Sequence, residues 1–474
     1  MASAISAPGR PTPCRPWRSL VAAAALLASA FAAPLASAQD SGASASSPGR
    51  GLTIESLIGD SVSNANEDSY PLVADAIQRF TNEDPIAART LLEQAKERDS
   101  KLPPVGLMIA KMYLGVGNGQ AVRAALEQAV QQDSANDPEP FLMLGEDAFS
   151  GNRFIEADAM FDKAFRLIDG YNDNQKRKRR LQIRAYRGRG AVAQRRRDWQ
   201  ESLESLDKWL ALDPDSDSAH NQKGQVLFML GQEREGYSEL VAAHRLNSKL
   251  PNPLISAGLM YSRLDMQDKA LTAFERAYAD DQSNPMLLTA YGSALIRTGD
   301  VARAQQILAK GRTTSIDTVN VWLLSGVAAR MAGSPEQAEE YLLKAFSLAP
   351  VSANSRDVYN QLAQLLINLP EPENKRRALE FAELNARLNS DNPDVNITLA
   401  WVRYQLGQAR GAVAALQKGL QGGKLSPDSS YLVAKILVAQ GKNEQAKSLL
   451  SASMDEQSGI FVQRDEAQAL LDTL

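Results

Sequence analysis

The chain has 474 residues, of which 44% are hydrophobic and 23% are charged, and its formal net charge is −4. The hydrophobic content is too high for a wholly disordered chain and too interrupted for a protein with several membrane spans. Two histidines and one cysteine exclude a metal site built from several Cys and His ligands. The mild negative charge argues against a dedicated nucleic-acid binder.

Residues 1–38 have the composition of a secretory signal peptide. Three arginines and no acid form the start, an Ala- and Leu-rich stretch spans residues 20–35, and Ala36-Ser37-Ala38 offers a small-x-small cleavage site. We therefore expect an exported chain, located in the periplasm or cell envelope or secreted, with no transmembrane span after cleavage. An uncleaved anchor or a disordered tail is the alternative. Residues 39–66 are rich in Ser, Ala, Gly and Asn, which predicts a flexible linker.

The rest of the chain, residues 67–474, contains a repeat with a period of 34 residues. Five glycines follow one another at this interval, namely Gly190, Gly224, Gly258, Gly292 and Gly326. A small residue lies 12 positions after each glycine, and in four of the five cases another lies 19 positions after it. This spacing indicates pairs of antiparallel helices whose backbones approach closely at the small residues.

Three of the units share a longer motif. It reads Phe141-x2-Leu144-Gly145 with Ala157-x3-Phe161-x2-Ala164, then Gly258-x2-Tyr261 with Ala270-x3-Phe274-x2-Ala277, then Trp322-x3-Gly326 with Ala338-x3-Leu342-x2-Ala345 and Pro350. The motif resembles the signature of the tetratricopeptide repeat (TPR) family. The resemblance implies an all-α, right-handed superhelical solenoid in which the first helix of each pair lines a concave groove.

Weaker copies extend the repeat to about eleven TPR helix-turn-helix units. Their anchors are Ala76, Ala110, Gly145, Gly190, Gly224, Gly258, Gly292, Gly326, Ala363, Ala400 and Ala434. The interval from Gly145 to Gly190 is 45 residues and that from Gly326 to Ala363 is 37, and we expect the extra residues in segments between units, near Gly170–Arg180 and Leu369–Asn374. Residues 460–474 predict a C-terminal capping helix. Because one pair cannot bury its apolar face alone, we expect contacts only between neighbouring units.

A basic segment departs from the acidic average between residues 176 and 197. It holds eleven Lys and Arg residues without an acid, and its densest run, in the predicted basic insertion near residues 170–180, is Lys176, Arg177, Lys178, Arg179 and Arg180. Such charges repel one another, so solvent, acidic side chains of other units or an anionic partner must offset them. This patch supports an alternative function, the binding of a polyanion or polysaccharide as part of an export machine.

A second set of polar residues lies at the positions that line the groove in the TPR family. When each anchor is position 8, these positions are 2, 5, 9, 12 and 13, and they hold Arg184, Arg187, Arg195, Asn221, Asn252, Arg263, Arg297, Asn320, Arg330, Trp401 and Tyr404. Guanidinium and amide groups in such an array suit an extended acidic segment. Apolar residues between them are expected to seat a partner's side chains, namely Phe228, Met229, Ile255, Leu259, Ile296 and Met331. The aromatic pair would be a binding hot spot, unless it packs between units.

No catalytic motif with a supporting context occurs in the sequence. His220 and His244 fall in one unit, and there is no His-Glu-x-x-His, Gly-x-Ser-x-Gly or phosphate-binding loop. We predict a non-enzymatic protein–protein interaction scaffold or adaptor of the bacterial cell envelope, with no catalytic residue, cofactor or metal. Its groove is expected to bind an extended or helical segment of a protein partner, and no nucleic-acid partner is expected.

Overall fold

The computed structural model describes residues 52–59, 61–62, 65–132, 137–172, 174–313, 319–348, 355–455 and 459–474. The predicted signal peptide and residues 39–51 of the predicted linker lie outside these described residues. Within them the chain forms 24 α-helices and no β-strand.

Twenty-two of these helices form eleven consecutive pairs, which we number as units 1 to 11. The pairs are α2 (Pro71–Thr81) and α3 (Pro85–Arg98), α4 (Val105–Gly115) and α5 (Gly119–Gln132), α6 (Glu139–Ser150) and α7 (Phe154–Gly170), α8 (Gln175–Arg196) and α9 (Trp199–Leu212), α10 (Asp217–Met229) and α11 (Glu233–Leu246), α12 (Pro253–Arg263) and α13 (Gln267–Asp280), α14 (Pro285–Arg297) and α15 (Val301–Thr313), α16 (Val319–Met331) and α17 (Pro335–Leu348), α18 (Arg356–Leu366) and α19 (Pro372–Leu388), α20 (Pro393–Gln405) and α21 (Ala409–Gln421), and α22 (Pro427–Ala439) and α23 (Asn443–Met454). A short helix, α1 (Ile54–Ile58), precedes them, and α24 (Arg464–Asp472) follows them. The prediction of an all-α solenoid of eleven helix pairs is confirmed.

The anchor residues explain why the repeat appears in the sequence. All eleven lie buried in the first helix of their pair. At Gly145 an added Cβ would lie 2.8 Å from the ring of Phe161, and at Gly258 it would lie 2.5 Å from the ring of Phe274. The second helix therefore packs an aromatic ring where the first helix has no side chain.

Several first helices begin with the same Asn-Pro pair. The side chains of Asn252, Asn284 and Asn392 each accept a hydrogen bond from a backbone N–H two or three residues further on, at 2.8 to 3.1 Å. The proline that follows each of them has no N–H to satisfy and a φ suited to the first helical turn. Asn252, a predicted partner-binding residue, is therefore also a helix cap.

The extra residues of the intervals Gly145–Gly190 and Ala363–Ala400 lengthen helices. Helices α7 and α8 have 17 and 22 residues, and α19 has 17, whereas α9, α11 and α13 have 14 each. The basic run at residues 176–180 lies in the first turns of α8, so the extra residues extend this helix and do not lengthen a segment between units as expected. Asn174 caps this helix by accepting a hydrogen bond from the Arg177 N–H at 3.0 Å. The Arg177 side chain is buried, so the first turn of α8 packs inside the stack.

Both ends of the described chain pack against the solenoid. In α1 the side chains of Ile54, Leu57 and Ile58 are buried in one apolar cluster with α2 and α4. The prediction of a flexible linker through residue 66 is therefore wrong at α1, because the i, i+3, i+4 spacing of these residues gives a short helix one apolar face. At the other end α24 packs on α23, but it begins at Arg464, four residues later than predicted.

Candidate partner-binding groove

The first helices of the units form the wall on which the predicted groove residues lie. Helix α6 packs on α8, and a continuous series of first helices packs from α12 through α14, α16, α18 and α20 to α22. Side chains at positions 2, 5, 9, 12 and 13 of neighbouring units therefore come close to one another. Their mutual contacts decide which of them remain available to a partner.

In units 2 to 4 the charges on this wall pair with each other. The guanidinium of Arg184 donates two hydrogen bonds to the carboxylate of Glu146, at 2.6 Å each. Lys111 Nζ lies 3.0 Å from Glu139 Oε1, and Arg184 Nη1 lies 3.6 Å from the same oxygen. Arg187 Nη2 lies 3.7 Å from Glu146 Oε1, and 48% of its side chain is exposed.

The electrostatic consequence is clearest at Glu139, which is buried. Burial by itself would raise the pKa of its carboxyl, but the charges of Lys111, Arg184 and Arg177 outweigh burial and lower the pKa to about 2. The pKa of Glu146 is lowered as well, chiefly by Arg184 against the opposing effect of burial. Both carboxylates therefore remain ionised at neutral pH.

The basic segment is offset by acidic side chains of neighbouring helices. Arg177 is buried, and its Nη2 atom lies 3.0 Å from carboxylate oxygens of Asp137 and Glu139. Arg189 and Arg196 both pair with Glu201, at 2.9 and 3.2 Å. Arg189 also lies 3.7 Å from Asp162, and Arg196 lies 2.7 Å from Asp158.

The other residues of the predicted basic patch have mixed surroundings. Lys176 is exposed, and Lys178 Nζ donates to the backbone oxygen of Asp169 at 3.1 Å. Arg179 donates to the backbone oxygen of Leu212. Arg180 is half-buried, and burial together with the charge of Arg184 lowers the pKa of its guanidinium against the opposing effect of Glu55 in α1. The patch is thus a set of internal contacts with an exposed fringe.

Two further predicted groove arginines are engaged within the chain. Arg297 Nη2 lies 2.8 Å from Asp265 Oδ1, and its Nη1 donates to the backbone oxygen of Ser262 at 3.2 Å. Arg330 donates to the side chain of Gln361. These hydrogen bonds join neighbouring units. Burial opposes the charge of both guanidinium groups and lowers their pKa.

Four predicted groove residues are exposed or half-buried on the surface. Arg195 and Arg263 are exposed, and the guanidinium of Arg195 lies 5.9 Å from the centre of the Phe149 ring. Asn320 is exposed and Asn221 is half-buried. Together with Arg187, they form an accessible polar set that runs from unit 4 to unit 8.

The aromatic pair at the far end of the wall packs between units. Trp401 is only 2% exposed, because Lys435 of the next first helix lies over its ring at 4.4 Å. Tyr404 stacks on Trp401 with 5.9 Å between ring centres and is 37% exposed. The prediction of an exposed aromatic hot spot is therefore wrong for Trp401 and leaves only the edge of Tyr404 accessible.

A later segment of the chain packs against the apolar cluster of units 6 to 8. Ile460 and Val462 pack against the apolar cluster that contains Ile255, Ile296 and, at its edge, Leu259 and Met331. We call residues 460–463 the C-terminal link. Phe228 and Met229 belong to another cluster, in units 5 and 6, so they do not contribute to this seat.

The link also contacts the last unit. The carboxylate of Asp428 accepts hydrogen bonds from the backbone N–H groups of Val462 and Gln463, at 3.2 and 3.0 Å. Arg330 of unit 8 acts electrostatically on Asp428 of unit 11. The prediction of contacts only between neighbouring units is therefore wrong, because the wall curves enough to bring unit 11 across from unit 8.

Sequence reasoning missed Lys111, Glu139, Glu146 and Asp428. A signal for them was present, since all four lie at positions 2 or 9 of their units. The link carried no comparable signal, because the run Ile460-Phe461-Val462 falls outside the repeat.

Among the described residues, the groups that could bind a metal and the surroundings of His220 are as follows. The described residues contain no group of three or more His, Cys, Asp and Glu side chains arranged to hold a metal ion. His220 contacts the carboxylate of Glu239 through Nδ1 at 2.5 Å and the backbone oxygen of Pro214 through Nε2 at 3.0 Å, so both its ring nitrogens have structural partners. Nor does this part of the chain contain a helix with the length and hydropathy needed to cross a bilayer.

The chain consists of eleven stacked helix pairs, and each has a small buried anchor in its first helix. The fold is that of a tetratricopeptide repeat solenoid. No protein-family model matches the chain, and no curated protein matches it at a significant level.

Three of the similar solved structures are the following. A tetratricopeptide repeat protein from Parabacteroides merdae is 17% identical, with a TM-score of 0.39 over 52% of this chain and 92% of its own. Yeast Tom70 is 12% identical, with a TM-score of 0.38 over 86% of this chain and 96% of its own. A monomeric IFIT1 mutant with Gppp-AAAA is 16% identical, with a TM-score of 0.42 over 74% of this chain and 84% of its own.

Proposed function

We propose that this TPR solenoid is a non-enzymatic protein-interaction scaffold of the bacterial cell envelope. The observation that carries the proposal is the accessibility of Arg187 and Arg263 at groove-lining positions of units 4 and 6. Their neighbours on the same wall, Arg184 and Arg297, are held by Glu146 and Asp265. The wall thus combines fixed internal ion pairs with exposed guanidinium groups, which a rigid binding surface requires.

The chemistry of the accessible residues defines the partner segment. Guanidinium groups bind carboxylates through two parallel N–H donors, and the half-buried amide of Asn221 lies in unit 5, between the units of Arg187 and Arg263. The partner is therefore an extended or helical protein segment with acidic side chains. The envelope location rests on the composition of residues 1–38.

A polyanion remains the alternative partner, but the ion pairs argue against it. Arg177, Arg189 and Arg196 already have carboxylate partners. A polyanion would have to compete with these intramolecular carboxylates, which lowers the electrostatic gain of binding.

The proposal is tested by site-specific photo-crosslinking in envelope preparations. A photo-crosslinking amino acid at Asn221 should capture a protein segment, and the double change Arg187→Glu and Arg263→Glu should abolish the capture. The matched control is Arg276→Glu, which reverses an exposed charge on the second helix α13 and should leave the capture intact.

Two outcomes would contradict the proposal. Capture that is unchanged in the double variant would remove the groove arginines from binding. Heparin or polyglutamate is added in a second measurement to compete with the crosslinked protein. Complete competition that weakens steeply with added salt would favour the polyanion. The envelope location is checked separately by fractionation and by N-terminal sequencing, which should begin at Gln39.

A further inference from the structure

The C-terminal link follows unit 11 in the chain, but it packs against units 6 to 8. Val462 is only 8% exposed and belongs to the apolar cluster of units 6 to 8, and Ile460 packs against the same cluster. Phe461 belongs instead to the cluster that joins units 9 to 11 and α24. Three consecutive side chains therefore join two separate parts of the solenoid across its wall.

The polar half of this contact follows the ordinary rule of the repeat. In unit 10 the carboxylate of Asp394 accepts the N–H of Ser426 at 2.8 Å, where α22 begins. In unit 11 Asp428 accepts the N–H groups of Val462 and Gln463, where α24 begins. Asp428 thus fixes the start of α24 in the way that Asp394 fixes the start of α22. These hydrogen bonds do not require Ile460 or Val462 to contact units 6 to 8.

The apolar half is the exception to the rule. Ile255, Leu259, Ile296 and Met331 occupy groove-lining positions of units 6, 7 and 8, where a partner's side chains would be received. In this chain Ile460 and Val462 pack against the cluster that contains these four residues, in the place of a partner's side chains. Helix α24 has its own attachment, because Ala467, Leu470 and Leu471 pack into the cluster of units 9 to 11.

We propose that the C-terminal link is an intramolecular occupant of the groove, and that a partner segment with two closely spaced aliphatic side chains replaces Ile460 and Val462 on units 6 to 8. The proposal rests on the proposed function only in that the same wall receives the partner. The occupant's chemistry is read from the seat itself, which is aliphatic and already holds an Ile and a Val. The link therefore competes with the partner and lowers its apparent affinity.

The competition is measured with a labelled synthetic peptide of residues 459–474 and the full chain. In the wild type the seat is filled, so we expect weak binding. The double change Ile460→Ser and Val462→Ser weakens the link but leaves the seat intact, and the peptide should bind this variant at least tenfold more tightly. The same peptide with both positions changed to Ser should bind neither chain.

A matched control pair separates this effect from a general loss of aliphatic surface. Ile86→Ser and Ile155→Ser change two highly exposed side chains elsewhere in the solenoid, and this variant should bind the peptide as weakly as the wild type. Equal peptide affinity in the wild type and in the link variant, with native helix content in both, would overturn the proposal.

Hydrogen exchange of the unmodified full chain gives a second test. The amides of Val462 and Gln463 should exchange faster than those in the centre of α22, because the link opens without unfolding its neighbours. Exchange of both at the rate of global unfolding would overturn the proposal. Neither test depends on capture at Asn221, so a failed competition with intact capture refutes only the link proposal, and the reverse result refutes only the proposed function.

Discussion

The guanidinium of Arg184 and the carboxylate of Glu146 face each other through two hydrogen bonds of 2.6 Å. Position 2 of unit 4 thus binds position 9 of unit 3. The pair joins two units through side chains that a TPR wall usually presents to a partner. It shows that this part of the wall contributes to the stability of the stack.

Replacing Glu146 by Gln should therefore destabilise the solenoid. The variant keeps the shape of the side chain but removes its charge, and a hydrogen bond to a charged group contributes about 1.5–3 kcal/mol. We expect urea unfolding to show a loss of about 1–2 kcal/mol in the free energy of unfolding, since the pair is partly exposed. Glu127→Gln, at an exposed i, i+4 pair with Arg123, should cost less than about 0.5 kcal/mol. Equal losses of unfolding free energy in the two variants would show that the bidentate Arg184–Glu146 pair stabilises the fold no more than an exposed ion pair does.

Glu139 should make the fold sensitive to acid. Its pKa is about 2 in the folded chain against 4.5 ordinarily, so its contribution to stability is present above about pH 4.5 and is lost as the pH falls towards 2. The free energy of unfolding of the wild type should therefore fall between pH 5 and 2.5 more steeply than that of Glu139→Gln, by about 2–3 kcal/mol. Parallel pH curves for the two chains would contradict the role of Lys111, Arg184 and Arg177.

Asp428 should have the opposite dependence on pH. Burial raises the pKa of its carboxyl to about 6, although Arg330 and the N–H groups of Val462 and Gln463 act against this. Its contribution to stability is therefore fully present below about pH 3.8 and is lost as the pH rises through 6. Between pH 5 and 7, Asp428→Asn should gain stability relative to the wild type, by about 1–2 kcal/mol. Thermal unfolding at several pH values measures this difference, and a constant difference would contradict the prediction.

The close approach at Gly258 should make even one methyl group costly. An alanine Cβ there would lie 2.5 Å from the ring of Phe274, which is fully buried. We expect Gly258→Ala to lower the free energy of unfolding by about 1–3 kcal/mol, because a packed core does not absorb the added volume. At Gly119, the first residue of α5, no atom lies within 4 Å of an added Cβ. Gly119→Ala should be neutral or slightly stabilising in the same urea titration.

The sequence predicted the units well because the anchors act locally. A small residue such as Gly258 is required wherever two helices of one pair touch, so its spacing is visible without any knowledge of distant contacts. The start of α8 was not predictable in this way. Arg177 is buried because Asp137 and Glu139, about forty residues earlier, receive its charge, and a run of five cations by itself indicates only an exposed surface.

The same distinction applies to the groove. Family positions placed Arg263 and Arg297 alike, at position 13 of neighbouring units, yet Arg263 is exposed whereas Arg297 pairs with Asp265 in the turn of the preceding unit. Which arginine stays accessible thus depends on the residue that the adjacent unit places beside it. The seat of Val462 depends on the curvature of the whole stack, which no local pattern encodes.

Curvature has a further consequence for how the molecule unfolds. Linear repeat arrays melt from their ends, because a terminal unit has one neighbour and contributes only one interface. In this chain Asp428 and Val462 tie the last unit to units 6 to 8. Fraying at the C-terminal end therefore breaks contacts in the interior, and stepwise removal of pairs from that end should weaken the remaining rod by more than the interfaces deleted.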